Sequence, residues 1–237
     1  MKRLRTGGAV DLSYKPAEEL PSQLSVVFQN AQSLRLHFPL IRNDSTFTSA
    51  DVICLAETRL SVNDQDSAYA IEGFLPIIRN DQSDSHQTRP PHGLAMYVKP
   101  SININLVETI STEEFECIVV QLNQVSSHRM TTLIVVYKSP SCGFEKFKDH
   151  ILSMAKCQIT EDLILVGDFN YDVSRNRNGR FLDFMNSTFP RTKCLNVLHT
   201  TRDNTTLDLC FTSFFSASAR IIACVWSYHH TLVVSLF

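Results

Sequence analysis

Residues 163–172 read LILVGDFNYD, and the architecture of the whole chain can be worked out from them. Four consecutive apolar residues leave no polar face, so a strand built from Leu163 to Val166 is covered on both sides. Gly-Asp-Phe-Asn follows at once. Side chains alternate along a strand, so Asp168 and Asn170 leave the sheet on one face, two positions apart. In α/β sheets that exit is where ligands and chemistry gather.

The same texture, a short apolar run closing on polar residues, recurs outward in both directions. It predicts further strands over residues 24–28, 51–55, 93–98, 117–122, 132–137, 206–211 and 231–236. Helical spacing appears in FEKFKDHILSMAKC, where Phe144, Phe147, Ile151, Met154 and Ala155 share a face, and in GRFLDFMNSTF around Phe181, Leu182, Phe184 and Met185. A third candidate, SLRLHFPLIRND, contains Pro39, which has no N–H to donate, so a break or a first turn is expected there. Eight or nine strands with about three helices predict packed sheets with helices outside. Residues 1–22 mix glycine, proline and charge without periodicity and read as a flexible leader, with one domain over 23–237.

Composition narrows the setting. The 237 residues are 43% hydrophobic, enough for a sizeable core, and the net charge of -2 gives no global nucleic-acid footprint, leaving a local basic rim to serve in its place. Seven cysteines make an odd number with no C-x-x-C pair, and Cys54, Cys117 and Cys210 lie inside apolar runs. Buried thiols in a reducing compartment fit this better than disulfides or zinc. No apolar run approaches the ~18 residues of a membrane span, and MKRLRTGG lacks the apolar core of a signal peptide. The expectation is an intracellular protein, nuclear or cytoplasmic, monomeric, with no membrane partner and no small-molecule cofactor.

Polar residues at strand ends recur in VVFQNAQSL, DVICLAETRL, LILVGDFNYD, TTLDLCFT and VWSYHHTLVV. Singly they are ordinary turn and cap formers. Their order is more telling. The series Asn30, Glu57, Tyr137, Asp168 with Asn170, Asp208 and His229, carried by QNAQSLR, ADVICLAETRL, HGLAMYVK, VVYKSP, VGDFNYD and TTLDLCFTS, resembles the endonuclease/exonuclease/phosphatase superfamily. Within it the pattern is most similar to apurinic-type endonuclease domains of mobile elements, both non-LTR retrotransposons and Helitron-like transposons. The resemblance implies an α/β fold, a four-layer sandwich of two mixed β-sheets packed face to face with helices on the outside. It also implies a Mg2+-dependent (or Mn2+-dependent) endonuclease that nicks DNA and leaves a 3′-hydroxyl.

Phosphodiester hydrolysis needs charge neutralised on the phosphate, a positioned water and help for the leaving oxygen. By resemblance, Glu57 is the metal ligand with Asn30 supporting it, and Asp168 orients or deprotonates the water. Asn170 would bond the phosphate or that water, and His229 the phosphate, its second nitrogen held by Asp208. Tyr137 either donates to the phosphate or is a strand aromatic with a wet tip. Where the superfamily commonly has Ser-Asp-His, this chain has Ser227, Tyr228 and His229, which puts a second metal position in doubt. A shift of one residue would make His230 the catalytic histidine. Arg175, Arg177, Arg180 and Lys138 are candidate substrate contacts, with solvated loop positions as the alternative. Two rival functions remain: a phosphatase or phosphodiesterase of the same fold, and a catalytically inactive remnant.

Overall fold

Each apolar run named above becomes a strand in the computed structural model, which describes residues 24–80, 92–124, 130–156, 159–174 and 179–237. In chain order the strands are β1 (Leu24–Asn30), β2 (Val52–Ala56), β3 (Ile78–Asn80), β4 (Leu94–Val98), β5 (Ile102–Ser111) and β6 (Phe115–Gln124), then β7 (Met130–Lys138), β8 (Asp162–Asp168), β9 (Lys193–Cys194), β10 (Asp208–Thr212), β11 (Ala217–Ile222) and β12 (Thr231–Leu236). The helices are α1 (Leu34–Ile41), α2 (Ser45–Thr48), α3 (Phe144–Met154) and α4 (Gly179–Thr188).

Two six-stranded sheets result, with order β11-β12-β1-β2-β4-β3 in the first and β5-β6-β7-β8-β10-β9 in the second. Each contains one parallel pair, β1 with β2 and β7 with β8, and its other pairings are antiparallel. Parallel neighbours require a crossover. The α1–α2 segment makes the first and α3 the second.

Three apolar clusters give the four layers. Phe28, Cys54 and Met96 of the first sheet meet Ile118, Leu133, Val135 and Val166 of the second. Outside the second sheet, Phe147, Ile151, Phe181 and Met185 of α3 and α4 cover Leu165 and Phe211. Outside the first, Leu34, Phe38, Ile41 and Phe47 cover Val27, Ile53 and Tyr97. The ends of β1, β2, β7 and β8 and the beginnings of β4, β10 and β12 therefore gather at one pole, where the site lies.

The break expected at Pro39 does not occur, since Pro39 sits inside α1. Its ring removes the donor for the carbonyl of Arg35, but both residues are exposed, so water can satisfy that oxygen, and the helix stops two residues later. Ser33 caps the other end, its side chain accepting from Leu36 N. The leader at 1–22 lies outside the described residues, as does Cys157; the six cysteines within them are free thiols. No described helix is long and apolar enough to cross a membrane.

Candidate active site

Strand register assembles half of the site. Glu116 pairs with Tyr137, Tyr137 with Asp168, and Asp168 with Asp208, so four polar side chains form a row on one face of the second sheet. That face looks across the sandwich toward the first sheet. Gly167 is needed beside Asp168, because a Cβ there would lie 2.0 Å from the Val136 carbonyl oxygen.

The first sheet supplies the other half. Asn30 ends β1, and its amide nitrogen donates to Glu57 Oε1 (2.9 Å) and to Asp168 Oδ2 (2.9 Å), stitching the two sheets together. The amide oxygen of Asn30 accepts from Gln32 N (3.1 Å), which leaves it one lone pair. Glu57 follows β2 in the left-handed region, φ 49°, and Arg59 Nη2 lies 3.3 Å from its Oε2. Asp168 is held by Asn30 and by Asn170 N, which donates to its Oδ1 (3.0 Å).

His229 stands just before β12. Its Nδ1 lies 2.8 and 3.0 Å from the two oxygens of Asp208, and its Nε2 3.7 Å from Asp168 Oδ2. Ser227 Oγ accepts from His229 N (3.2 Å) and donates to the Asn30 carbonyl (2.8 Å), while Gln29 Nε2 donates to the His229 carbonyl (3.1 Å). His230 turns elsewhere: its Nδ1 accepts from Cys224 N (3.3 Å). Burial opposes charge on the His229 ring, but the Asp208 carboxylate, aided by Asp168 and Glu57, outweighs it and raises the pKa to about 9. Asp168 moves upward to about 7, first through burial and then through the charge of Asp208.

The remaining sequence candidates divide. Tyr137 stands beside Glu57, and burial with the charges of Glu57 and Asp168 pushes its pKa well above the usual phenol range. Asn170, at φ 48°, donates its amide to the Lys138 carbonyl (2.7 Å). The Lys138 ammonium is not brought to the cluster; it is buried, donates to the Ser139 carbonyl (2.9 Å) and lies 4.5 Å over the Tyr171 ring. Arg180 pairs with Glu145 (2.6 Å) on the α3 side of the second sheet. Arg175 and Arg177 lie outside the described residues. Tyr228 places no carboxylate beside His229; its hydroxyl donates to Asp203 Oδ2 (3.0 Å) and its N–H to Gln32 Oε1 (2.9 Å). Sequence reasoning passed over Gln32, Arg59 and Glu116. The ETR and QNAQ stretches held the signal for the first two.

A family model described as the Endonuclease/Exonuclease/phosphatase family matches residues 29–225. The chain belongs to this family. Family members are hydrolases of phosphodiester or phosphate ester bonds, typically dependent on a divalent metal. Among solved structures, the endonuclease domain of TRAS1, a telomere-specific non-LTR retrotransposon, aligns with a TM-score of 0.67 at 16% identity, covering 90% of this chain and 97% of that one. An AP endonuclease from Archaeoglobus fulgidus gives 0.61 at 12%, covering 90% and 99%, and a mannosyl-6-phosphatase from Bacteroides thetaiotaomicron gives 0.58 at 12%, covering 91% and 100%. At such identities the likeness is one of fold. A search of curated proteins finds no match.

The donor set of this endonuclease/exonuclease/phosphatase domain suits a hard cation. Asp168, Asp208 and His229 offer ligand atoms within 4.8 Å of one another, and Glu57 stands across Asn30 from Asp168. His229 is the weakest ligand of these, since Asp208 occupies one nitrogen and keeps the ring protonated. The carboxylates of Glu57 and Asp168 are better placed. The upward shift of Asp168 reports crowded negative charge in a dry cleft, which a divalent cation on oxygen donors would relieve.

Proposed function

We propose that this chain is a Mg2+-dependent endonuclease that nicks one strand of DNA to leave a 3′-hydroxyl, and that it derives from a mobile element. The observation that carries the reading is the buried His229–Asp208 pair facing Asp168, with Glu57 alongside. The likeness in fold to the TRAS1 endonuclease domain supports the mobile-element origin.

In this reading Glu57 and Asp168 would hold the cation, and Asn30 fixes both carboxylates by hydrogen bonds. A bound Mg2+ would neutralise charge on the phosphate oxygens, and as the bond from phosphorus to the 3′-oxygen breaks, that oxygen takes its proton from solvent water. Asp168 orients the attacking water and accepts its proton. His229 donates from Nε2 to a non-bridging phosphate oxygen, while Asp208 keeps the ring oriented and charged. Tyr137 retains its proton throughout and remains a donor at the same phosphate. Asn170 braces the Asp168 turn through the Lys138 carbonyl and keeps one amide hydrogen for water or phosphate. Arg59, partly exposed beside Glu57, is a further cation available to the DNA backbone.

Purified protein with Mg2+ is expected to relax supercoiled plasmid, and Asp168→Ala or His229→Ala to abolish the activity. Equal nicking by wild type and both variants would remove the assignment. The likeness to a phosphatase gives the second reading, a phosphomonoesterase on the same scaffold. Turnover of sugar or inositol phosphates without plasmid nicking would favour it.

A further inference from the structure

Of the row Glu116, Tyr137, Asp168 and Asp208, Glu116 alone has no part in the chemistry above. It is fully buried, and its Oε1 accepts the N–H of Gly93 at 3.1 Å. Gly93 belongs to the first sheet, directly before β4, so this bond crosses the sandwich at the mouth of the cleft. Burying a carboxylate is costly unless hydrogen bonds compensate it, and the Gly93 N–H supplies one.

What Gly93 touches explains the position. Its carbonyl accepts from Thr58 N (3.1 Å), and the His92 carbonyl accepts from Arg59 N (2.8 Å). Thr58 and Arg59 follow Glu57, and both Glu57 (φ 49°) and Arg59 (φ 54°) hold left-handed conformations that side chains resist. The fit is tight: a Cβ on Gly93, itself at φ 78°, would meet Thr58 Oγ1 at 2.4 Å. The His92 ring also lies 4.8 Å from the ring of Tyr137. Two hydrogen bonds thus lead from Glu116 to the peptide that carries Glu57.

We infer that Glu116 is a positioning residue: by fixing Gly93 from the opposite sheet it holds the strained turn of Glu57, and so sets the distance between Glu57 and Asp168. The inference rests on the metal-dependent reading above. Glu116 acts through Glu57 and touches neither the cation nor the phosphate.

The test follows the half-saturating Mg2+ concentration by the metal-dependent rise in melting temperature, and in parallel by plasmid nicking. Glu116→Ala is expected to raise it about tenfold to a hundredfold, with nicking recovering at saturating Mg2+. Glu116→Gln keeps an acceptor for Gly93 and is expected to hold the wild-type value. Should Glu116→Ala not fold, Glu116→Asp withdraws the acceptor by one methylene while keeping the charge, with the same expectation as Ala. An unchanged Mg2+ requirement in Glu116→Ala or Asp, or an equal loss in Gln, overturns the positioning role while leaving the nuclease reading intact. A wild type with neither a metal response nor hydrolysis overturns both.

Discussion

His229 carries a positive charge into a cleft where it is only 5% exposed, and Asp208 makes this tolerable. With the acid removed, burial is the largest influence left and it disfavours the imidazolium. Asp208→Asn is therefore expected to lower turnover by about 10²–10³-fold and to move the alkaline limb of the pH–rate profile, near pH 9 in wild type, toward neutrality. Stability follows the same proton. The ring titrates near 6.5 when unfolded and about 9 when folded, so its contribution is complete below the first value and fades as pH rises through the second. That shift corresponds to about 3 kcal/mol. Denaturation of wild type and His229→Gln from neutral to alkaline pH is expected to show the difference between them shrinking.

Among the elements, β8 tolerates little. Gly167→Ala puts a methyl against the Val136 backbone, and the predicted loss is about 3 kcal/mol with activity lost as Asp168 shifts. Pro39→Ala in α1 should act oppositely, restoring a donor toward Arg35 and stabilising by about 1–3 kcal/mol, read as a higher melting temperature. These two positions also mark what the sequence could disclose. VGD announced a strand end with a carboxylate because apolar continuity and glycine agree, whereas Pro39 gave a false stop because propensity says nothing of which face meets water. β5 went unread for a similar reason. Its alternation begins as ININ, but a bulge between Leu106 and Glu108 shifts the period before a pattern can accumulate. Glu116 was hidden inside the apolar run FECIVVQL, where nothing in one dimension tells a buried carboxylate with a task from a solvated one. Asp208 and His229 are legible as a pair only through resemblance, since their 21-residue separation carries no local signal.

At the scale of the molecule the cleft is a joint between two bodies. Asn30, Glu57 and His229 come from the first sheet, and Tyr137, Asp168 and Asp208 from the second. The apolar interior between the sheets therefore sets catalytic distances as well as stability. Leu133→Ala, buried mid-strand in β7, is expected to cost about 2–5 kcal/mol and to raise the Mg2+ requirement well below the melting temperature. Metal should bind across the same joint, so chelation is expected to lower the melting temperature and saturating Mg2+ at a hundred times Kd to restore about 2.7 kcal/mol. A final consequence lies in the pairing of Leu24 with Leu236. β1 runs seven residues from Leu24 to Asn30, so both positions sit about 20 Å from the chemistry, at the opposite pole. A fluorescent reporter or affinity handle attached beside this pair, at the exposed Phe237, would therefore sit far from the cleft and leave it unobstructed.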